Sequence, residues 1–184
     1  MPDKQKAFSI IYHEHYQMVY QMAFHYLQNV EDAEEITQDV FVQVYQSMAK
    51  FEGKSTLKTW IYRISINKSL DYIKYKNSKK RGFIFGNKSQ NEKELEHITT
   101  HDQAESTLIE LEKTAVLYKV IYELPSNQKT AFILSKIEGL SHAEIAEIME
   151  VSISSVESLV FRSKKTLQHK LAQLFDEYQK KKKK

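Results

Sequence analysis

Glycine and proline are scarce in this sequence, and their scarcity limits the possible fold more than any other feature. The chain has four glycines and two prolines among its 184 residues. Both residue types interrupt regular secondary structure, whereas the abundant Ala, Leu, Ile, Glu, Lys and Gln favour helices. A chain with so few interruptions is typical of helices joined by short turns. The sequence therefore predicts an all-α protein.

Helical periodicity divides the chain into two parts. Apolar residues recur at three- and four-residue spacing up to about residue 75 and again from about residue 108, which indicates amphipathic helices. The stretch between them is polar, lacks this periodicity and contains Gly82 and Gly86. We predict two small helical domains, residues 1–76 and 108–178, joined by a flexible linker at 77–107 and followed by a lysine tail at 179–184.

The second domain has a pattern typical of a helix-turn-helix between Gly139 and Leu167. Ser141 and Glu144 predict a capping box at the start of its first helix. The inner side of that helix is predicted to be lined by Ile145, Ala146 and Met149. Val151 is predicted to fill the corner between the two helices. The second helix has a predicted buried stripe: Val156, Val160, Ser163, Leu167 and Leu171.

The opposite face of that second helix is polar with a basic end, and we predict that it binds DNA. Its side chains can hydrogen-bond to base edges and phosphates: Ser154, Ser155, Glu157, Ser158, Phe161, Arg162 and Lys165. An ordinary helical hairpin with solvated charges is the alternative at this point. Glu150 favours that alternative, because glycine is common at such a corner.

Basic and aromatic residues alternate along the third predicted helix of the first domain. Ten Lys or Arg residues fall between Lys50 and Arg81, against two acids. The interleaved aromatic residues are Trp60, Tyr62, Tyr72 and Tyr75. Aromatic rings stack on unpaired bases while cations follow the phosphates, so this helix is a second candidate for nucleic-acid binding. A packed tryptophan and a solvated lysine face are the competing interpretations.

Several classes of protein fit the sequence poorly. The absence of cysteine excludes disulfides and thiolate metal sites. His97 and His101 have ligand-like spacing but fall in the predicted linker, so we predict neither a metal site nor another cofactor. No glycine-rich loop and no nucleophile–histidine–acid arrangement stands out, which argues against an enzyme. Because a signal peptide and a long apolar run are missing, we predict a cytoplasmic protein.

Three motifs, in this order, resemble the extracytoplasmic-function (ECF) sigma factors, the small two-domain promoter-specificity subunits of bacterial RNA polymerase. The stretch DAEEITQDVFVQVYQSMAKFEG is similar to their core-polymerase-binding helix. LKTWIYRISINKSLDYIK is similar to their promoter −10 segment. LPSNQKTAFILSKIEGLSHAEIAEIMEVSISSVESLVFRSKKTL is similar to their −35 helix-turn-helix. The resemblance covers roughly residues 8 to 171, interrupted by the linker.

This resemblance implies a function and a set of partners. The chain would direct core RNA polymerase to −35 and −10 promoter elements and begin promoter melting, without enzymatic activity of its own. The residues facing the polymerase clamp would be Glu35, Gln38, Asp39 and Val42. The residues at the −10 element would be Lys54, Lys58, Trp60, Arg63, Asn67 and Lys68. The helix-turn-helix face would meet the −35 element, the acidic linker would run towards the polymerase active-site cleft, and an anti-sigma factor would inhibit the protein.

Two other functions compete with this one. A helix-turn-helix regulator would bind duplex DNA without polymerase, and a helical adaptor would bind neither. The sequence also departs from the family, whose recognition helices commonly carry a basic residue at the positions of Glu157 and Leu159 and Ala at that of Ser163. Glu157 could accept from a cytosine amino group and Leu159 could contact a thymine methyl. These departures bear on which −35 sequence is recognised.

Overall fold

The computed structural model describes residues 2–84 and 106–182, with side chains described at 3–79 and 114–176. Every regular element in these ranges is helical, which confirms the predicted all-α class. The chain divides into two compact units, Met1–Glu94 and Leu95–Lys184, and each is described by itself. None of the helices in the described part of the chain is long and apolar enough to cross a membrane.

Within residues 2–84, the first unit contains three α-helices. Helix α1 spans Pro2–Leu27, α2 spans Val30–Ser47 and continues as a 3-10 turn at Met48–Lys50, and α3 spans Leu57–Ile84. Each of the three packs against the other two. Their shared core contains the apolar residues that the helical periodicity selects: Val19, Ala23, Ala33, Ile36, Val40, Phe41, Val44, Ile61 and Ile64.

Local side-chain caps fix where two of these helices begin. The Asn29 side chain accepts a hydrogen bond of 2.8 Å from the backbone N–H of Asp32 at the start of α2. Thr56 Oγ1 accepts one of 3.0 Å from the N–H of Thr59 in the first turn of α3. Each bond satisfies a backbone donor that the first helical turn leaves open. The caps therefore set the register of both helices relative to the core.

Asp32 also ties α2 to the second half of α3. Its carboxylate accepts a hydrogen bond of 2.6 Å from the Tyr72 hydroxyl and forms an ion pair with Lys76. The Asp32 side chain is 14% exposed, so this polar cluster is largely shielded from water. Burial, followed by the hydrogen bond to Asp32, raises the pKa of the Tyr72 hydroxyl well above its ordinary value. The cluster therefore holds together two helices whose contacting residues are about 40 positions apart.

Helix α3 is longer than the sequence predicts. We predicted an end near Tyr75, but the helix continues to Ile84, so the first residues of the predicted linker are helical. Contacts at helical spacing accompany the extension: Lys79 Nζ lies 4.6 Å from the centroid of the Tyr75 ring, and the Ser78 hydroxyl donates to the Tyr75 carbonyl. The domain boundaries at residues 76 and 108 remain predictions.

The described part of the second unit, residues 106–182, contains four α-helices. Helix α4 spans Ser106–Tyr122, α5 spans Ser126–Phe132 and continues as a π-helical segment at Ile133–Ile137, α6 spans His142–Met149, and α7 spans Ile153–Lys182. Helices α4, α5 and α6 all pack against α7. The buried apolar residues include Val120, Ile121, Leu134, Ile145 and Val156.

The turn between α6 and α7 confirms most of the helix-turn-helix prediction. The capping box of Ser141 and Glu144 is present. Glu150 adopts the left-handed conformation, with φ of 56°, at the position where a glycine is common. Val156, Val160, Ser163 and Leu167 are buried, as the stripe predicts, whereas Leu171 is only partly buried. Val151 is 39% exposed and does not plug the corner, so that prediction was wrong.

Lys129 is an unusual component of the second core, because it is a lysine with only 5% of its surface exposed. Its Nζ lies 4.2 Å from the centroid of the Tyr122 ring, a cation–π contact between α5 and the end of α4. Burial lowers the pKa of the Lys129 amine from 10.5 to about 8. The folded protein therefore holds a charge that its surroundings disfavour.

A Lys129→Met substitution should stabilise the second unit by about 1–3 kcal/mol near pH 7, because it removes the cost of burying the ammonium group. Since the pKa of the folded-state amine is about 8, the unfolded chain binds more protons between that pH and the lysine's ordinary pKa. The free energy of unfolding of the wild type should rise over this pH range. Its difference from that of the Lys129→Met variant should therefore become smaller. Thermal unfolding by circular dichroism at pH 7 and 9.5 measures both effects. A stability difference between wild type and variant that does not change with pH would contradict the lowered pKa of Lys129.

Candidate functional site

One exposed face of α2 contains all four residues predicted to bind core polymerase. Glu35, Gln38, Asp39 and Val42 are all exposed, and Val42 is 54% exposed despite being apolar. Their spacing of three and four residues places them on one side of the helix. The buried residues of α2, such as Val40 and Val44, lie on the side facing the core. This face therefore presents two carboxylates and one apolar side chain that can contact another molecule.

An apolar groove lies next to this face, and the sequence interpretation missed it. The groove lies between α1 and α2 and has a volume of about 440 Å³. Its lining residues are Phe8, Tyr12, Gln38, Phe41, Val42, Tyr45 and Gln46. Aromatic rings dominate it; the Tyr12 and Phe41 centroids are 4.7 Å apart. The signal was present in the sequence, because Phe8, Tyr12, Tyr16, Tyr20 and Phe24 repeat every four residues along α1.

The residues predicted to bind the −10 element differ in exposure. Lys54, Lys58 and Asn67 are exposed, while Arg63 and Lys68 are partly buried. Trp60 is also partly buried, and its ring packs against Phe51 with centroids 5.2 Å apart. The indole therefore belongs partly to the core and presents only part of its surface for stacking. Lys54 lies in the loop before α3, and the other five lie on the helix itself.

The aromatic residues of α3 do not all face outward. Tyr62 is 2% exposed and belongs to the core, so its predicted role in stacking on bases was wrong. Tyr72 is occupied by its hydrogen bond to Asp32. Tyr75 is 53% exposed and remains accessible. The alternation of aromatic and basic residues thus combines core positions with surface positions, and helical spacing alone does not distinguish them.

An ion pair joins the two predicted surfaces of the first unit. Lys68 Nζ lies 3.6 Å from Asp39 Oδ2, and both side chains are partly exposed. Lys68 is a predicted −10 residue and Asp39 a predicted polymerase-binding residue. The two surfaces therefore meet where α2 and α3 pack together, and a charge change at either residue alters the electrostatic potential at both.

The recognition face of α7 is fully available. All seven residues predicted to bind the −35 element are exposed, and Phe161 is 58% exposed. Arg162 Nε donates to the Ser158 carbonyl over 3.3 Å. Lys165 Nζ lies 4.7 Å from the centroid of the Phe161 ring. Ser152 caps the helix by accepting from the Ser155 N–H. The face has hydroxyl groups near its N-terminus and cations one to three turns later.

The three departures from the family pattern have different surroundings. Leu159 is partly buried, as expected of a leucine packed at the helix edge. Glu157 is exposed, and its Oε1 lies 3.9 Å from Nδ1 of His142 at the start of α6. Ser163 is buried, and its hydroxyl donates to the Val160 carbonyl over 2.7 Å. Of these three residues, only Glu157 presents its polar group to solvent on the recognition face.

Some predictions concern residues outside the described ranges. The candidate pair His97 and His101, and the acidic part of the predicted linker, fall between residues 84 and 106. The ends of the lysine tail, residues 183 and 184, are also outside, although α7 reaches Lys182. Within residues 2–84 and 106–182, no group of three or more His, Asp or Glu side chains is placed to hold a metal ion.

Two helical units, one of which presents a helix-turn-helix with a free recognition face, define a DNA-binding class of protein. Each of the two units is matched by a model of a known protein family. The family model for sigma-70 region 2 matches residues 11–79, and the model for sigma-70 region 4 matches residues 114–167. The chain belongs to the ECF family of RNA polymerase sigma factors.

Individual relatives cover nearly the whole chain. An ECF RNA polymerase sigma-E factor of Haemophilus influenzae is 28% identical over 171 residues, covering 92% of this chain and 90% of the relative. The sigma factor SigW of Bacillus subtilis is 28% identical over 177 residues, covering 92% and 91%. A similar solved structure is the sigma factor RpoE of Bartonella quintana, in complex with the anti-sigma factor NepR. Its TM-score is 0.66 at 22% identity, covering 91% of this chain and 98% of that one, which supports the fold.

Proposed function

We propose that this protein binds core RNA polymerase, directs it to promoters that contain −35 and −10 elements, and begins to separate the DNA strands. The observation that carries the proposal is the order of the two family regions. Region 2 matches the unit with the acidic α2 face and the basic α3, and region 4 matches the unit with the helix-turn-helix. The proposed polymerase and −35 surfaces are exposed, and the proposed −10 surface is exposed at Lys54, Lys58 and Asn67.

The α2 face is the proposed site for core polymerase. Glu35 and Asp39 supply negative charge on an otherwise neutral surface that also contains Gln38 and Val42. Complementary charge steers partners together and fixes their register, while the apolar part of an interface excludes water. The groove beside Val42 extends the apolar part of this surface. A partner with cations opposite the two acids and an apolar side chain opposite Val42 fits it best.

Helix α3 is the proposed site for the −10 element. Lysines at 54, 58 and 68 neutralise phosphates, and Arg63 and Asn67 share a helix face from which they can bind bases. A base that leaves the duplex loses stacking and pairing, and contacts with the protein compensate for that loss. Strand separation by this route requires binding energy and no covalent chemistry. The protein therefore needs no catalytic residue for this step.

An Asn67→Ala substitution should impair promoter opening about 10-fold or more while changing the initial association with duplex DNA less than about 2-fold. The exposed amide can hydrogen-bond an unpaired base, whereas duplex association depends mainly on cations. The reactivity of unpaired thymines measures opening, and filter binding measures association. Asn77→Ala, an exposed amide further along α3, is the matched control and should change neither. Equal loss in both steps would contradict the proposed role of Asn67.

Dependence on polymerase separates this function from its main competitor. A sigma factor should bind promoter duplex tightly only together with core polymerase, whereas a helix-turn-helix regulator would bind it alone. Gel-shift assays with the protein alone, core polymerase alone and both together make the distinction. Tight, sequence-specific binding by the protein alone, with no retention of polymerase in a pull-down, would contradict the proposal.

Family membership also suggests where the protein acts and what controls it. We propose that it works in the cytoplasm, where its polymerase partner is found. Its relative RpoE was solved in complex with an anti-sigma factor, and we propose an inhibitor of that class for this chain. Occupation of the α2 face or the recognition face would be sufficient for inhibition, since both contacts are needed at a promoter.

A further inference from the structure

Glu157 has an unusual position for an acidic residue. It lies in the second turn of α7, on the exposed face between Ser154 and Ser158, whereas the next acid along the chain is Asp176. The cations of this face, Arg162 and Lys165, lie further along the helix. In a helix-turn-helix the N-terminal part of the recognition helix reaches the base edges. A carboxylate therefore occupies a position close to bases, and the cations lie where they can contact phosphates.

The side chain that faces Glu157 comes from the other helix of the motif. His142 is the first residue of α6, and its Nδ1 lies 3.9 Å from Glu157 Oε1. The two side chains are 40% and 61% exposed, so neither is packed away from an incoming ligand. The distance is in the range of an ion pair and longer than a hydrogen bond. The imidazole thus lies beside the carboxylate, which is itself 61% exposed.

The chemistry of a carboxylate restricts what it can bind in the major groove. It only accepts hydrogen bonds, so phosphates and the two acceptors of guanine repel it. Cytosine presents its N4 amino group as a donor. Adenine also presents an amino group, but the N7 acceptor beside it faces the same carboxylate. A hydrogen bond from the cytosine amino group therefore best offsets the unfavourable free energy of bringing a negative charge close to the DNA backbone.

We propose that Glu157, positioned by His142, selects cytosine at one position of the −35 element. The inference rests on the proposed function and extends it to a particular base preference. Glu157 contacts the base and is the specificity determinant. His142 is a positioning residue, which keeps the carboxylate directed at the base edge. Arg162 and Lys165 contribute affinity that does not depend on sequence.

The test uses the protein with core polymerase and a promoter library randomised across the −35 region. Wild-type protein should enrich cytosine at one position by about 5- to 100-fold over the other bases, the range expected for one good base contact. Glu157→Ala should reduce that preference to below about 3-fold. Glu157→Gln should shift it towards adenine, because an amide can pair with both N6 and N7. The remaining −35 positions should keep their preferences in both variants.

Two further variants separate specificity from charge and from folding. Asp176→Asn removes the same charge from an exposed site on α7, about 28 Å along the helix, and should leave the cytosine preference unchanged. His142→Ala should weaken the preference several-fold while the preferences at all other positions stay as in wild type. A merely structural role for His142 would instead lower enrichment at every position equally.

The outcomes distinguish this inference from the function on which it rests. If the library yields −35 and −10 elements but Glu157→Ala keeps the wild-type preference at every position, the inference is wrong and the proposed function stands. If wild-type protein selects a base other than cytosine at the position that depends on Glu157, the inference is also wrong. If wild-type protein enriches no promoter sequence at all, the proposed function is overturned, and the inference with it.

Discussion

An Asp39→Arg substitution is expected to lower the affinity of the protein for core RNA polymerase by roughly 10- to 100-fold. Asp39 is exposed near the centre of the proposed polymerase-binding face of α2. Reversing its charge replaces an attraction with a repulsion towards a cationic partner. It also places a second cation beside Lys68, whose Nζ lies 3.6 Å from the present carboxylate. Competition binding with labelled core polymerase measures the effect.

Glu34→Arg provides a matched control for that experiment. Glu34 is also exposed on α2; it borders the face one turn before Gln38 and lies about 140° around the helix from Asp39. The same change of charge there should alter polymerase affinity by less than about 3-fold, because it acts at the edge of the face and not near its centre. Both variants should fold, since neither residue is buried. Equal affinities for wild type and Asp39→Arg would remove this face of α2 from the interface.

An Asp32→Ala substitution should destabilise the first unit by about 3 kcal/mol, more than a hundredfold in its folding equilibrium. The change leaves the Tyr72 hydroxyl and the Lys76 ammonium without the carboxylate to which both are bonded. These groups are only partly accessible to water, so solvent replaces the lost contacts incompletely. Urea unfolding followed by Trp60 fluorescence reports on this unit alone, because Trp60 is the single tryptophan of the chain.

Two variants calibrate the Asp32 result. Tyr72→Phe removes one hydrogen bond and keeps the ion pair, so it should cost about 1 kcal/mol. Asp71→Ala removes an exposed acid whose only described ion-pair partner is Lys74, with both side chains more than two-thirds exposed, and it should have little effect. If Asp32→Ala and Asp71→Ala destabilise the first unit equally, the shielded cluster contributes nothing beyond an ordinary surface charge.

Features of the fold that depend on neighbouring residues could be predicted from the sequence. The capping box at Ser141 and Glu144 is an example. It is determined within a few residues of chain, where the geometry of the backbone fixes which atoms meet. The buried stripe of α7 follows in the same way from its spacing, because one face of an amphipathic helix must leave water. The left-handed conformation of Glu150 was not predicted, because glycine is the residue that commonly adopts it at such a corner.

Features that depend on distant parts of the chain were missed. Tyr62, predicted to stack on bases, is 2% exposed, and Val151, predicted to fill the corner, is 39% exposed. The cluster of Asp32, Tyr72 and Lys76 joins residues about 40 positions apart, which no local pattern records. The end of helix α3 is a local feature that was also missed, since the helix continues to Ile84, beyond the point where the apolar periodicity stops.

The exposure of the candidate surfaces could be predicted from the sequence, whereas the contacts between helices at those surfaces could not. The acidic face of α2 and the polar face of α7 are exposed as helical spacing requires. The adjoining apolar groove and the approach of His142 to Glu157 both depend on how two helices pack. The proposed preferences for a partner and for particular bases rest on these packing details. The sequence alone did not show them, and the structure does.

Transcription in vitro from a library of random promoters, with purified core polymerase and this protein, tests whether the chain directs polymerase to promoters. We expect transcripts that require both components and start downstream of one shared pair of −35 and −10 sequences. Core polymerase alone should give no such set. Transcripts that are the same with and without the protein would contradict the claim that this chain directs polymerase to promoters.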